Sequence, residues 1–205
     1  MPDNRKAAYS PRLVATLTHP LQRWPRERRR LAFACCAVVA LLPLVLGPVA
    51  HPLHEDQPGG EDIVAFELAG SVGRAQEIID TWHAESVIDE AKATQVLDFL
   101  YPFIYAAALA GGCIAAAGAW RRIGRERIAA AGIAMAWVAT AAAAFDYVEN
   151  LGLDISLWGH PASPWPEVSR AAALLKFGAI GLALAYGLSG LTAVAIGRTR
   201  RPQAN

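Results

Sequence analysis

The stretch AAALLKFGAIGLALAYGLSGLTAVAIG, residues 171–197, decides the fold, and it contains one charged residue, Lys176. An α-helix needs about 20 consecutive apolar residues to cross a hydrocarbon core roughly 30 Å thick. The stretch therefore predicts a membrane-spanning helix. Its lysine is a candidate functional residue, because an ionisable group inside a span is energetically expensive.

Three further apolar blocks of similar length occupy residues 31–50, 95–120 and 128–149. The whole chain is 54% hydrophobic, whereas an average soluble domain is about 45–50% apolar. The blocks also lack the alternation typical of barrel strands. We therefore predict an all-α fold, a four-helix transmembrane bundle over residues 31–197 with little room for a soluble domain.

Basic residues are strongly segregated along the chain. Residues 1–30 hold eight of the 19 Lys and Arg, 121–127 hold four and the tail 198–205 holds three, but 51–93 hold two and 148–169 none. Loops on the cytoplasmic side of a membrane are enriched in Lys and Arg. The pattern predicts a multi-pass membrane protein with a basic cytoplasmic tail at each end.

The first outer loop, residues 51–93, contains a short helix signal. Ser71 is a favourable N-cap, and the segment after it has apolar residues at helical spacing along one face. These residues are Ala75, Ile78, Ile79 and Trp82. We predict a short amphipathic helix that lies on the membrane surface or caps the bundle, followed by a helix from about residue 85 that continues into the second span.

Polar side chains recur near the outer ends of the second and third spans. On the second, Asp98, Tyr101 and Tyr105 are spaced to share one helical face, and Pro102 is expected to kink the helix beside them. On the third, Asp146 has polar neighbours three and four residues on, which are Glu149 and Asn150.

A partner for Lys176 is expected among these groups. An unpaired buried carboxylate or ammonium is costly, and a pair between Lys176 and Asp98 or Asp146 avoids both costs. Two structural alternatives stay open: Lys176 stretches outward to water, or Glu149 and Asn150 simply terminate the third helix. The candidate ligand-binding or polar cluster comprises Asp98, Tyr101, Tyr105, Asp146, Glu149, Asn150 and Lys176.

Small residues repeat every four positions in the third and fourth spans, as Gly132, Ala136, Thr140 and Ala144, and as Ala179, Ala183 and Gly187. Such faces let helix backbones approach closely in lipid. They predict a tight bundle or a homo-oligomer, with membrane lipids as the other expected partners.

No cofactor and no metal are predicted. The outer histidines, His51, His54, His83 and His160, offer only a weak metal alternative, since no closely spaced ligand pair accompanies them. Nucleic acid is not expected as a partner, because the positive-inside rule already accounts for the basic tail and no nucleic-acid-binding pattern occurs.

Four short motifs carry a resemblance. They are Phe66-Glu67-Leu68-Ala69-Gly70, Leu97-Asp98-Phe99, Asp146-Tyr147-Val148-Glu149-Asn150 and Lys176-Phe177. In this order they resemble a group of small four-helix bacterial inner-membrane proteins of uncharacterised role. The resemblance covers about residues 31–196 and implies a shared architecture and shared polar positions, without an activity.

The leading functional hypothesis is a binding or accessory protein with an outward-facing polar cleft between spans two, three and four. Two alternatives stay open. One is a membrane enzyme acting on a lipid or isoprenoid, with a carboxylate as acid/base and Lys176 orienting an anionic group. The other is an oligomeric proton- or ion-coupled transporter subunit. The sequence leaves open whether the protein is an enzyme.

Overall fold

The computed structural model describes residues 18–50 and 63–199, and for 42–50 it describes the backbone alone. All regular secondary structure in these residues is helical, so the all-α prediction is confirmed. A short 3-10 turn at Pro20–Arg23 precedes seven α-helices. They are α1 (Arg26–Ala50), α2 (Ile63–Glu67), α3 (Val72–Ala84), α4 (Ile88–Asp98), α5 (Tyr101–Arg122), α6 (Glu126–Trp158) and α7 (Trp165–Thr199).

Three of the described helices, α5, α6 and α7, are long and apolar enough to cross a membrane. The predicted count was four. The remaining predicted span, residues 31–50, lies in α1, whose first five residues, RERRR, are all charged. Its described side chains end at Leu41, so the prediction of a span over residues 31–50 lies partly outside the described residues.

The bundle core is built from small residues where α5, α6 and α7 pack against one another. A β-carbon on Gly190 would lie 2.8 Å from Cα and Cβ of Ala116, and one on Gly132 would overlap Ala117. Helix backbones can come this close only where side chains are absent or minimal. Small residues thus allow close packing between the helices of one chain. The helix α1 lies along the outside of α5.

The two longest helices extend well past the membrane thickness. At 1.5 Å per residue, α6 and α7 are each about 50 Å long, whereas α5 is about 33 Å, close to the hydrocarbon core. At the end of α5 near Arg122, the Trp120 indole donates to Ser189 Oγ of α7 at 2.9 Å, and Gly132 of α6 lies against Ala117 of α5, so the three helices are aligned there. Their surplus length therefore projects at the opposite end.

That projecting end is covered by the loop between α1 and α5. Phe66 of α2 and Ile78 and Trp82 of α3 form a compact apolar core with Leu153 and Leu157 of α6. We call residues 63–98 the cap, this end of the bundle the capped end, and the end near Arg122 the arginine end. The four residues of the predicted stripe on α3 are all buried, and Ser71 caps the helix by accepting a hydrogen bond from the Arg74 N–H at 3.3 Å. The prediction of a capping amphipathic helix is confirmed.

The second span differs from the prediction. The helix of residues 88–98 does not continue into it: α4 ends at Asp98, and α5 begins at Tyr101 with Pro102 in its first turn. Proline lacks an N–H and its fixed φ suits the first turn of a helix, where no hydrogen-bond partner is lost. Pro102 therefore starts a new helix where a kink was expected.

Residues 18–24, expected to be part of a cytoplasmic tail, lie against the bundle. His19 is buried, its Nε2 lies 3.2 Å from Thr140 Oγ1 of α6, and its ring packs edge-on against Trp137. This contact holds the chain just before α1 against the surface of α6.

Candidate functional site

Lys176 lies inside the protein at the capped end. It sits on α7, about three turns after that helix begins at Trp165, and only 4% of it is exposed. The alternative in which the lysine stretches outward to water is therefore wrong for this structure. An ammonium in such a place needs anionic partners, because an unpaired buried charge is strongly unfavourable.

Three carboxylates surround the Lys176 ammonium. The Nζ atom donates to Glu149 Oε1 at 2.8 Å, and lies 3.4 Å from both Asp146 Oδ1 and Glu67 Oε2. Asp146 and Glu149 come from α6, Glu67 from the cap, and all three are buried. We call Glu67, Asp146, Glu149 and Lys176 the lysine cluster.

Helical geometry explains how α6 supplies two of the partners. Asp146 and Glu149 are three residues apart, so their side chains leave the same face of the helix. That helix continues nine residues beyond Glu149, to Trp158. Glu149 and Asn150 are therefore helix-interior residues that face the core, and the alternative in which they terminate the helix is wrong.

Glu67 was absent from the predicted set. It ends the short helix α2, and its neighbour Gly70 has a φ of +64°, which turns the chain away towards α3. The available signal was a single acidic residue inside the apolar segment Ile63-Val64-Ala65-Phe66-Glu67-Leu68-Ala69. Sequence alone could not place this segment, since its position over Lys176 depends on how the cap folds back.

The pKa of Glu67 is raised above its ordinary value. Burial of the carboxyl is the largest cause, since it disfavours the charged form, and the nearby Lys176 ammonium opposes the rise. Asp98 adds to the rise through its negative charge. Glu67 therefore holds a proton more readily than an exposed glutamate.

Tyr105 belongs to the same network. Its hydroxyl donates to Asp146 Oδ2 at 2.8 Å, and its side chain is buried between α5 and α6. Asp146 thus accepts from Lys176 through one oxygen and from Tyr105 through the other. This arrangement fixes the carboxylate orientation.

Two predicted members of the cluster make no hydrogen bond to Lys176 within the described residues. Tyr101 donates to the Ala40 carbonyl of α1 at 2.6 Å and so faces the outside of the bundle. Asp98 lies before the break at the end of α4, and within the described residues it makes no ion pair with Lys176. The break between α4 and α5 removes the shared helical face on which its placement depended.

Asn150 is fully buried, and neither its side-chain nitrogen nor its oxygen has a hydrogen-bond partner within the described protein. The second carboxylate oxygen of Glu149, Oε2, is in the same state, as is Nε2 of the buried Gln95. Most buried polar groups in proteins are paired, so an orphaned group needs an explanation. The unpaired groups here include the Asn150 side chain and Oε2 of Glu149, which belongs to the lysine cluster.

Charge balance restricts the chemistry of the site. Three carboxyl groups face one ammonium, so the fully ionised cluster carries an excess of two negative charges. Such an excess is unstable in a medium of low dielectric constant. The cluster therefore favours the uptake of protons, or of a ligand that is positively charged or donates hydrogen bonds.

A cavity of about 250 Å³ lies between the cap and the end of α6. His83 and His160 line it, together with Asp80 and Lys92. Within the described residues no group of His, Cys, Asp and Glu is arranged to hold a metal ion. The other two outer histidines, His51 and His54, lie outside the described residues.

No known protein family, curated protein or solved structure matches this chain. The functional argument therefore depends on the chemistry of the lysine cluster and its surroundings.

Proposed function

We propose that this chain is a small multi-pass membrane protein with a binding or accessory role, whose polar site lies at the capped end. The site comprises the lysine cluster with Tyr105 and Asn150. We further place the protein in the bacterial inner membrane, with both termini cytoplasmic and the capped end outside. The segregation of Lys and Arg towards the opposite end supports this orientation.

One observation carries the proposal: Glu149 Oε2 and the Asn150 amide are fully buried and lack hydrogen-bond partners in the described protein. Leaving a buried polar group unsatisfied costs about 1–3 kcal/mol. A purely structural clamp needs only the bonds between Lys176 and its carboxylates. The additional free acceptors and donors support a site that a polar ligand completes.

The ligand class follows from charge. Lys176 is already engaged by three carboxylates, so an anionic ligand would meet an environment with excess negative charge. A protonated amine relieves that excess by donating to Glu149 Oε2, and Asn150 can both donate to and accept from an adjacent polar group. We therefore favour a lipid headgroup with a primary amine.

The cap controls access to this site. Glu67 is the one member of the lysine cluster that does not belong to a membrane-capable helix. Moving α2 outward would break its contact with Lys176 and open the cluster from the capped end. The bound amine then takes a position next to carboxylates that the cap otherwise covers.

The test compares two headgroups in detergent micelles. Phosphatidylethanolamine has N–H donors, whereas the quaternary amine of phosphatidylcholine has none. Phosphatidylethanolamine should raise the melting temperature of the wild type more than phosphatidylcholine does. Asn150→Leu should abolish the difference while leaving the unliganded protein at least as stable, because it removes an unsatisfied buried amide.

Gln76→Leu is the matched control, since it removes an amide from the cap surface, where Gln76 donates to Asp80. This variant should respond like the wild type. Equal responses to the two headgroups in the wild type, or an unchanged preference in Asn150→Leu, would refute the amine-binding role.

A second candidate, a proton-coupled subunit, is favoured by the ratio of three carboxyls to one ammonium. Such a protein would carry protons across vesicles that contain a trapped pH dye. Glu149→Gln should then slow the flux, whereas Glu126→Gln, an exposed change at the arginine end, should not. A wild-type flux equal to that of empty vesicles would exclude this role. The resemblance to small four-helix bacterial membrane proteins and homo-oligomer formation stay predictions.

A further inference from the structure

A second cavity lies at the arginine end, far from the lysine cluster. It has a volume of about 690 Å³ and lies between the beginning of α1 and the second half of α5. This is within the range of small-molecule sites, about 300–1,000 Å³.

Five arginines from two helices line this cavity. Arg26, Arg29 and Arg30 come from α1, and Arg121 and Arg122 from the end of α5. No acidic residue of the described chain is part of the lining. Among the described residues, one of the five makes an ion pair, Arg121 with Glu126 at 3.6 Å on the exposed surface. We call these five side chains the arginine ring.

The rest of the cavity wall is apolar. Phe33 of α1 lies against Gly111 of α5, and a β-carbon added at Gly118, farther along the same wall, would meet nothing within 4 Å. The exposed Trp24 also lines the cavity, and tryptophan is enriched at the headgroup level of membranes. The cavity thus combines a strongly positive rim with an apolar wall on membrane-capable α5.

We propose that this cavity binds one anionic phospholipid, with its phosphate in the arginine ring and its acyl chains along the wall at Gly118. Guanidinium groups bind phosphate oxygens in bidentate fashion. A binding site for free phosphate would not require an apolar wall, so the wall favours a phospholipid over inorganic phosphate. Positive charge in cytoplasmic loops explains the presence of arginines, but it does not require five of them to surround one cavity.

The experiment uses the full chain in neutral detergent and measures retained lipid by native mass spectrometry. Phosphatidylglycerol is the probe, phosphatidylcholine is the uncharged reference, and inorganic phosphate is the competitor. The wild type should retain one phosphatidylglycerol selectively, and millimolar phosphate should not displace it.

Two variants with matched controls distinguish lipid binding in the cavity from non-specific attraction between the lipid and the protein's positive charge. Arg26→Gln/Arg29→Gln/Arg122→Gln should lose on the order of a hundredfold in affinity, at roughly fivefold per arginine. Arg125→Gln/Arg127→Gln/Arg198→Gln removes the same charge outside the cavity and should keep near wild-type affinity. Gly118→Leu fills the cavity without changing charge and should also lose the lipid, whereas Gly178→Leu, on the exposed surface of α7, should not.

Equal losses in the two arginine variants would overturn the proposal in favour of diffuse charge attraction. Retention of phosphatidylglycerol by Gly118→Leu, or displacement of the lipid by inorganic phosphate, would overturn it as well. Unchanged helicity and monodispersity of each variant establish that a loss of lipid is not a loss of folding. A failure here does not refute the proposed amine site, since that site is tested by its preference for phosphatidylethanolamine and with variants of different residues.

Discussion

The capped end and the arginine end of this bundle hold their charges in opposite ways. At the capped end, Lys176 and three carboxylates are buried and bonded to one another. At the arginine end, the cationic side chains are mostly exposed and have few acidic partners in the described chain. Buried charges must be neutralised by fixed neighbours, whereas exposed arginines can be neutralised by the membrane itself. The comparison shows why the capped end depends on internal ion pairs, whereas the exposed arginines at the other end do not require them.

The largest expected effect is at the centre of the capped end. Lys176→Ala leaves three buried carboxyl groups without their ammonium and should destabilise the protein by roughly 3–5 kcal/mol. Lys92→Ala, at a half-buried lysine of the cap, should have a much smaller effect. Thermal unfolding in detergent measures both, and equal melting temperatures would contradict a stabilising lysine cluster.

The next effect tests the packing towards the arginine end. A β-carbon on Gly190 would press on the backbone of Ala116 at 2.8 Å, so Gly190→Ala should cost about 1–3 kcal/mol through overpacking. Gly181→Ala on the same helix meets nothing within 4 Å and should be neutral or slightly stabilising. If both variants melt alike, small-residue contacts do not hold this half of the bundle together.

A smaller effect concerns how firmly the cap is attached. Because burial raises the pKa of Glu67, its contribution to stability is complete below the ordinary glutamate pKa of 4.5 and is lost as pH rises through the raised pKa of the folded state. Glu67→Gln should therefore flatten the decline of melting temperature with pH above 4.5. Glu77→Gln, on the exposed side of α3, should retain the wild-type slope, and a slope shared by all three proteins would refute the role of Glu67.

The smallest effect concerns the docking of residues 18–24. Burial lowers the pKa of His19, and its Nδ1 accepts the Leu21 N–H at 3.3 Å, which a protonated ring cannot do. Docking is therefore stable above the ordinary histidine pKa of 6.5 and is lost as pH falls through the lower pKa of the folded state. Trp137 fluorescence should change on acidification in the wild type but not in His19→Gln, and an identical change in both would exclude this contact as its cause.

Prediction from sequence succeeded where local periodicity was sufficient. The stripe of Ala75, Ile78, Ile79 and Trp82 indicated α3 and its buried face, and the spacing of Asp146 and Glu149 indicated a common face on α6. Asp98 makes no ion pair with Lys176 in the described residues, because α4 ends at Asp98 and the predicted unbroken helix through Pro102 is absent. Glu67 was missed because it approaches Lys176 from 109 residues away in the chain, and no local pattern encodes such a contact.

Composition and spacing alone determined that the chain is helical and contains helices of membrane length, because an apolar helix satisfies its own backbone hydrogen bonds in lipid. They also determined that Lys176 needs anionic partners, because an isolated buried ammonium is too costly to tolerate. Only the tertiary structure decided which partners those are. The cap must fold back over α6 and α7 before Glu67 reaches the ammonium, and α1 must lie along α5 before five arginines surround one cavity.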